Sequence, residues 1–229
     1  MTNLKYPFYG LCFLIAWCYQ AWPQGTFLNL DFESANVQDL PYPGPGEAVN
    51  ISDGVPGWNV SPTIGLDQMG HNSFSIGGAA VEILGPAWPS SQLLQGSYTV
   101  ALYASVAGPP VVPDIFQTGQ IPAGSQSIRF YGAGDFGLTF GGQSISLVQV
   151  GSAPNYKIFG GDISAFAGQT GLLVFTGNGL LDNIAFSPTA IPEPSVVGVL
   201  VAGGLLLAWL SVRRLSVSII RILQLCWHA

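Results

Sequence analysis

The chain has 229 residues, of which 48% are hydrophobic and 8% are charged, and its formal net charge is −6. This composition is too apolar for a disordered acidic protein and too poor in charge for an average cytosolic one. All twelve acidic residues lie between Asp31 and Glu193, where only Arg129 and Lys157 offset them. An acidic surface of this kind repels phosphate backbones, so we expect no nucleic-acid partner.

Residues 1–25 have the pattern of a signal peptide. Lys5 precedes an apolar run from Phe8 to Trp17, which has the length of a signal-peptide core. We therefore expect an N-terminal signal helix, export across the inner membrane, and cleavage between Ala21 and Gly25. A buried helix or strand of the fold is the alternative interpretation.

Residues 26–188 predict an all-β domain, either an antiparallel β-sandwich or a jelly roll. Short runs rich in β-branched and aromatic residues alternate there with Gly, Pro, Asn and Asp, and no longer stretch has helical periodicity. Regular spacing of such runs without helices between them favours this architecture. Nine runs predict strands: 26–33, 79–84, 97–104, 127–131, 137–140, 144–150, 156–159, 171–176 and 180–186.

Prolines and glycines are concentrated between residues 40 and 62, which predicts a long surface loop. Trp58 in this segment, Trp88 in a second Pro-rich turn and Tyr98 are candidates for an aromatic platform on which sugars stack. Packing of the two tryptophans over the core is the alternative.

Catalytic chemistry has little support in the sequence. His71 is the single histidine before the C-terminal tail, and no nucleophile elbow accompanies it. One histidine without a cysteine predicts no zinc site. Glu82, in an apolar run, either is buried with a raised pKa or faces water. A pair of carboxylates for glycoside hydrolysis stays open, but we expect no enzyme.

Residues 189–229 predict a linker (189–195), one transmembrane helix (196–212) and a basic, apolar tail (213–229). The 17-residue span has no charge and approaches the length needed to cross a hydrocarbon core. Arg213 and Arg214 follow it, and cationic flanks stay cytoplasmic, so we expect the β-domain outside and the tail inside.

The linker contains the start of a sorting-signal pattern, which is the part of the sequence that indicates most about function. Pro192, Glu193 and Pro194, the apolar span and the pair Arg213 and Arg214 together resemble the PEP-CTERM sorting signal of exopolysaccharide-producing Gram-negative bacteria. The resemblance implies an exosortase-like processing enzyme as a partner, and release to the cell surface or matrix. The tail beyond the arginines is longer than is usual in that family.

The two ends of the β-domain, TFLNLDFES and GLLDNIAFS, resemble the first and last strands of jelly-roll domains related to carbohydrate-binding modules. In that family the terminal strands lie side by side, and several members hold a structural calcium between them. The resemblance implies Glu33 and Asp182 as calcium ligands, with Asp31 and Asn183 as further candidates. The alternative is that these are ordinary turn residues.

Three functions remain open at this point. The leading hypothesis is a non-catalytic surface or extracellular-matrix protein, anchored in the membrane through its C-terminal span. The alternative is a carbohydrate-binding module for extracellular polysaccharide, and the remote one is a polysaccharide-active enzyme.

Overall fold

The computed structural model describes residues 25–40, 47–73, 78–87, 92–105 and 111–191. The predicted signal peptide, Trp88, the Pro192-Glu193-Pro194 motif, the apolar span and both tail arginines lie outside these residues. The described residues include no helix with the length and apolar character needed to cross a membrane. Those as far as Thr189 belong to one compact unit.

Eleven strands and very little helix make up the described part of the chain. The strands are β1 (Glu47–Asn50), β2 (Asn59–Ser61), β3 (Gln68–His71), β4 (Ala80–Leu84), β5 (Thr99–Tyr103), β6 (Asp114–Gln120), β7 (Ser127–Phe140), β8 (Gln143–Ser144), β9 (Leu147–Ser152), β10 (Lys157–Asp162) and β11 (Thr170–Ser187). A single helical turn, α1 (Ile51–Gly54), follows β1, and a 3-10 turn spans Ser164–Phe166. The predicted all-β class is confirmed.

The strands form one hydrogen-bonded network in the order β1-β3-β4-β5-β11-β7-β10-β9. β6 also pairs with β11, β2 pairs with β6, and β8 pairs with β7. The pairs are antiparallel, apart from β3 and β4, which run parallel. The last strand of the chain, β11, therefore lies in the middle of the network, between β7 on one side and β5 and β6 on the other.

The two longest strands, β7 and β11, pair with each other over most of their length. The sequence predicts two strands in each, because Gly-rich stretches interrupt the apolar alternation. Those glycines instead allow a close approach between the two strands. A Cβ on Gly134 would lie 2.2 Å from the carbonyl oxygen of Asn178, and one on Gly177 would lie 2.2 Å from that of Asp135. Both have positive φ, at 140° and 154°, so only glycine suits these positions.

The predicted strand 26–33 is wrong, because this segment is a series of turns in which Asn29 and Phe32 have positive φ. Its apolar residues are nevertheless buried, with Leu30 and Phe32 at 0% exposure. The backbone amide of Ile184 donates to the carbonyl of Leu30 at 2.8 Å. The first described segment thus contacts β11, the last described strand, through turns.

The predicted long loop between residues 40 and 62 is also wrong in part. Its described residues contain β1, α1 and β2, and Val49, Val55 and Val60 belong to the hydrophobic core. The four residues of β1 follow a proline-rich segment, so their short apolar pattern is a weak signal in the sequence. The sequence also does not indicate β3 and β6, because polar residues and glycines interrupt their apolar alternation.

Candidate functional site

A β-bulge near the end of β11 lies beside a concave surface of the β-domain. The register of β11 against β7 shifts between Asp182 and Ala185, and Asn183 in the bulge has a φ of 46°. Bulges turn side chains away from the regular alternation and are common beside functional sites. Here Asp182 pairs with Tyr131 and Ala185 pairs with Arg129, so β11 has one extra residue between these two pairs.

A pocket of about 460 Å³ lies against this bulge. It is lined by residues of β7, β10, β11 and the first turn segment: Asp31, Arg129, Tyr131, Ile158, Asn183, Ile184, Ala185 and Phe186. Arg129 and Tyr131 alternate along β7 with the core residues Ile128 and Phe130, so they project from the opposite face. The pocket therefore combines a cation, a carboxylate, an amide and a phenol on one sheet face.

Two tyrosines are stacked at the edge of this pocket. The rings of Tyr131 and Tyr156 lie 4.3 Å apart between centroids, with an interplanar angle of 14°. Partial burial, followed by the proximity of Tyr131, raises the pKa of Tyr156. Tyr131 faces Ile158 across the β7–β10 ladder, which places Tyr156 two residues from that pair. We refer to the pocket and these two tyrosines as the bulge groove.

Trp58 and Tyr98, the two described residues of the predicted aromatic platform, do not line this groove. Trp58 is 3% exposed, its ring packs against Phe32 and Phe175, and its Nε1 donates to the carbonyl of Asn29 at 3.0 Å. A sugar cannot reach such a ring, so the platform prediction is wrong for Trp58, and its core alternative holds. Tyr98 is half-buried against the core.

The four residues predicted to bind calcium separate into two pairs. Asp31 and Asn183 line the bulge groove, whereas Glu33 and Asp182 hold the loop before β5. The Glu33 carboxylate accepts hydrogen bonds from the backbone amides of Ser97 and Tyr98, at 2.8 and 3.1 Å. The Glu33 carboxylate therefore caps the turn before β5, as acidic side chains commonly do.

Asp182 is fully buried and well supplied with donors. One of its oxygens accepts from the Thr99 hydroxyl at 2.8 Å and the Gln95 amide at 3.1 Å, and the other accepts from the amide of Asn183 at 2.7 Å. Burial, with a smaller contribution from the charge of Glu33, raises the pKa of Asp182 to about 7. Two neighbouring carboxylates suit a cation, but calcium takes about six to eight oxygens and the groups around this pair are donors. Calcium here stays a prediction.

Paired carboxylates for hydrolysis are not found in the bulge groove, since Asp31 is the one acid among its lining residues. Glu82 is 2% exposed on β4, and burial raises its pKa to about 7 although a hydrogen bond from Ser73 opposes the rise. It lies among the strands β3 to β5 and outside the lining of the groove. A glycosidase needs two carboxyl groups flanking one bond, and this groove offers one.

A second polar cluster lies where β1 begins and the antiparallel strand β3 ends. His71 Nδ1 lies 2.5 Å from an oxygen of Asp39 and 3.3 Å from one of Glu47. The ligand atoms of the three side chains all lie within 4.8 Å of one another. Within the described ranges, no other group of three acidic, histidine or cysteine side chains comes this close together. The sequence alone does not indicate this cluster, because its residues meet only through strand pairing.

Comparison with known proteins gives no family for this chain. A scan against protein-family models finds no match, and a search of curated proteins finds none either. A solved structure that the fold resembles is the apo form of a cyclase from Fischerella sp., which is 10% identical. The match covers 73% of this chain and 97% of the cyclase chain, with a TM-score of 0.38. A likeness this distant assigns no activity to the chain.

Proposed function

We propose that this protein is a non-catalytic, exported surface protein whose β-domain binds extracellular polysaccharide in the bulge groove. The observation that carries the binding function is the stacked pair Tyr131 and Tyr156 beside a pocket with polar groups. Sugar rings are recognised by a combination of flat aromatic surface and a few directed hydrogen-bonding groups. Asp31, Arg129 and Asn183 supply the latter.

The groove is formed by backbone elements rather than by a free loop. Tyr131 is paired with Ile158 in the β7–β10 ladder and with Asp182 in the β7–β11 ladder, and Asn183 is fixed by the bulge in β11. Binding groups on a rigid scaffold lose less conformational entropy when a ligand is bound. An extended polymer suits an open groove on a sheet face better than a closed cavity would.

We also infer that the strand network folds over itself as a jelly roll, the architecture that the sequence predicts. β11 pairs with β6 through its first half and with β5 through residues 179–181, so its two halves belong to different parts of the network. Buried residues from both parts contribute to a single hydrophobic cluster, which includes Ile115 of β6 and Val100 of β5. Two packed layers around one core account for this arrangement.

The location is argued from the ends of the sequence. The signal-peptide pattern, Pro192-Glu193-Pro194, the apolar span and the two arginines support export followed by membrane anchoring and exosortase-like processing. The prolines keep the peptide before the span extended, which suits a processing enzyme at the outer face. In this proposal the β-domain holds polysaccharide at or near the cell surface.

Glycan binding is tested with the full chain purified in mild detergent and a panel of bacterial exopolysaccharides. Tyr131→Ala and Tyr156→Ala should each weaken binding about tenfold or more, because stacking of one aromatic ring contributes about 1–3 kcal/mol when a flat ligand lies on it. Tyr131→Phe keeps the ring and should bind within about threefold of the wild type.

Leu172→Ala serves as the matched control, because Leu172 is an exposed apolar residue of β11 outside the groove lining. Binding that is lost equally in Leu172→Ala, or retained in both alanine variants of the tyrosines, would contradict the proposal. A chain that binds no polysaccharide in the panel would leave a structural role in the matrix as the better description.

A further inference from the structure

The cluster of Asp39, Glu47 and His71 has a geometry suited to a metal ion. We propose that these three residues bind a divalent transition-metal ion, with Zn²⁺ as the best candidate, at a site separate from the bulge groove. The site would tie the first described segment of the chain to the paired strands β1 and β3.

Backbone hydrogen bonds position all three side chains. Glu47 and His71 are directly opposite each other in the antiparallel β1–β3 ladder, so their side chains leave the same face of the sheet. Leu40, the neighbour of Asp39, forms an isolated bridge with Ala48, and its amide donates to the Ala48 carbonyl at 2.8 Å. Each of the three residues thus comes from, or adjoins, a paired segment.

His71 is the anchor of the cluster. Its side chain is 10% exposed, whereas those of Asp39 and Glu47 are 50% and 53% exposed. The next residue is also held, because the Gly85 amide donates to Asn72 Oδ1 at 2.9 Å and the Asn72 amide donates to the Ile83 carbonyl at 3.2 Å. The imidazole is therefore presented from the end of a strand that is paired on both sides, while the two carboxylates have room to adjust.

The chemistry of the three groups favours a cation at their centre. A single ring nitrogen carries at most one proton, which it can donate well to one carboxylate, yet two carboxylates face His71 Nδ1. Two anionic side chains converging on one nitrogen repel each other unless a positive charge lies between them. A metal ion bound to Nδ1 and to one oxygen of each acid neutralises both.

The type of ion follows from the donor set. Imidazole nitrogen suits Zn²⁺ and its neighbours in the first transition row, whereas Ca²⁺ and Mg²⁺ prefer oxygen ligands alone. Tetrahedral Zn²⁺ with bonds of about 2.0–2.2 Å needs ligand atoms about 3.3–3.5 Å apart. The Nδ1–Glu47 distance of 3.3 Å meets this. The Asp39 oxygen, 2.5 Å from Nδ1, would have to move outward by about 1 Å, and its side chain is 50% exposed. A water molecule completes the fourth position.

Zinc was excluded from the sequence because the β-domain has one histidine and no cysteine. Carboxylates also bind Zn²⁺, and in this chain they are spread from Asp31 to Glu193. The pairing of Glu47 with His71 becomes visible only when β1 and β3 are aligned. The site is therefore a property of the fold.

Binding is measured by titrating chelator-treated full chain, in mild detergent at pH 7.5, with ZnCl₂ in a calorimeter. We expect one equivalent to bind at this site and the melting temperature to rise as it fills. Glu47→Gln and His71→Gln should each weaken that binding at least about tenfold, since one of three ligands is lost. Asp135→Asn removes one exposed carboxylate far from the cluster and should bind within about twofold of the wild type.

Substitution of Co²⁺ for Zn²⁺ gives a second readout that does not depend on stability. Visible absorption of a low-coordinate Co²⁺ complex should appear in the wild type and in Asp135→Asn, and disappear in Glu47→Gln. Because Glu47 is exposed, that variant should fold normally, as checked by circular dichroism. No binding by the wild type, or equal binding by all four proteins, would overturn the proposal, the latter result indicating an adventitious surface ion.

Discussion

At the scale of single residues, Glu82 is an ionisable side chain that the fold buries almost completely. It faces Gly70 on one neighbouring strand and Ala101 on the other, and these small residues leave space for its side chain. One of its carboxylate oxygens has no hydrogen-bond partner within the described structure. Burial raises its pKa to about 7 and, together with the Glu82 charge, raises that of Tyr103 to about 12.

This burial predicts a pH dependence of stability with a definite sign. An acid whose pKa is raised in the folded state, here from 4.5 to about 7, favours folding below its unfolded pKa, and the benefit is lost as the pH rises through about 7. Replacing Glu82 by Gln should therefore increase the free energy of unfolding at pH 8 by about 2–3 kcal/mol, and leave it nearly unchanged at pH 4.5.

The measurement is urea unfolding of chelator-treated protein between pH 4.5 and pH 8. Glu82→Gln should show a flatter stability profile across this range than the wild type. Asp135→Asn, which changes an exposed carboxylate, provides the control. If both variants keep the wild-type slope, Glu82 does not titrate as its burial indicates.

The residues of the bulge groove illustrate what a single sequence can and cannot reveal. Asp31 and Asn183 were identified by resemblance, although for another role. Tyr131 and Tyr156 were not, because each lies in or next to a predicted strand with nothing to indicate that the two are neighbours. Their contact depends on the register of β7 against β10, which is decided by the packing of Phe130 and Phe159 in the core.

At the scale of elements, the glycine-rich part of the β7–β11 pairing is tightly constrained. Gly134 on β7 faces β11, Gly177 and Gly179 on β11 face β7, and each of the three has a φ above 130°. A Cβ on Gly179 would lie 2.3 Å from the carbonyl oxygen of Ala133. This contact involves backbone on both sides, so no flexible side chain could move to relieve it.

Substitution of Gly177 by Ala should consequently destabilise the domain severely. Gly124 provides a matched control, because it also has positive φ, at 84°, but has nothing within 4 Å of an added Cβ. We expect Gly124→Ala to cost about 1–2 kcal/mol from backbone strain alone. Gly177→Ala should cost at least about 2 kcal/mol more, since the clash with Asp135 adds to that strain.

Chemical unfolding of the two variants at the same pH gives this comparison directly. Equal losses of unfolding free energy would mean that the strands separate easily at this point. Failure of Gly177→Ala to accumulate as folded protein, with Gly124→Ala folded, would agree with the larger predicted cost.

The all-β class and most strands after residue 79 are readable from the sequence, because their alternation of apolar residues is strong. The division of β7 and β11 into shorter strands was wrong, since Gly-X-Gly normally indicates a turn and here allows a bend within a strand. The apolar residues of segment 26–33 predict a strand, yet in the structure these residues reach the core through turns. The local pattern of apolar residues thus predicts burial more reliably than it predicts backbone conformation.

At the scale of the whole molecule, the proposed export and anchoring predict where the chain is found in the cell. It should sediment with membranes, and its mature N-terminus should lie near residue 25. Where an exosortase-like enzyme is present, the mass should also show loss of the region after Pro194. Leu206→Arg places a charge in the middle of the span, at a cost of about 2.5–3.5 kcal/mol, and should move much of the protein out of the membrane fraction.

Leu206→Val keeps the span apolar and should fractionate like the wild type. Recovery of the wild type in the cytoplasm with residues 1–25 intact would contradict both export and the surface function. The mass of the mature protein reports the two processing events together, so one measurement addresses both ends of the chain.

The central position of β11 also has a consequence for the order of events during synthesis. This strand is the last in the domain, yet it supplies pairing partners to β5, β6 and β7. A growing chain cannot complete the sheet until residue 187 has been made and delivered. In the proposed export pathway the β-domain would therefore cross the inner membrane before it folds, and the predicted span would follow behind the residues that complete the sheet.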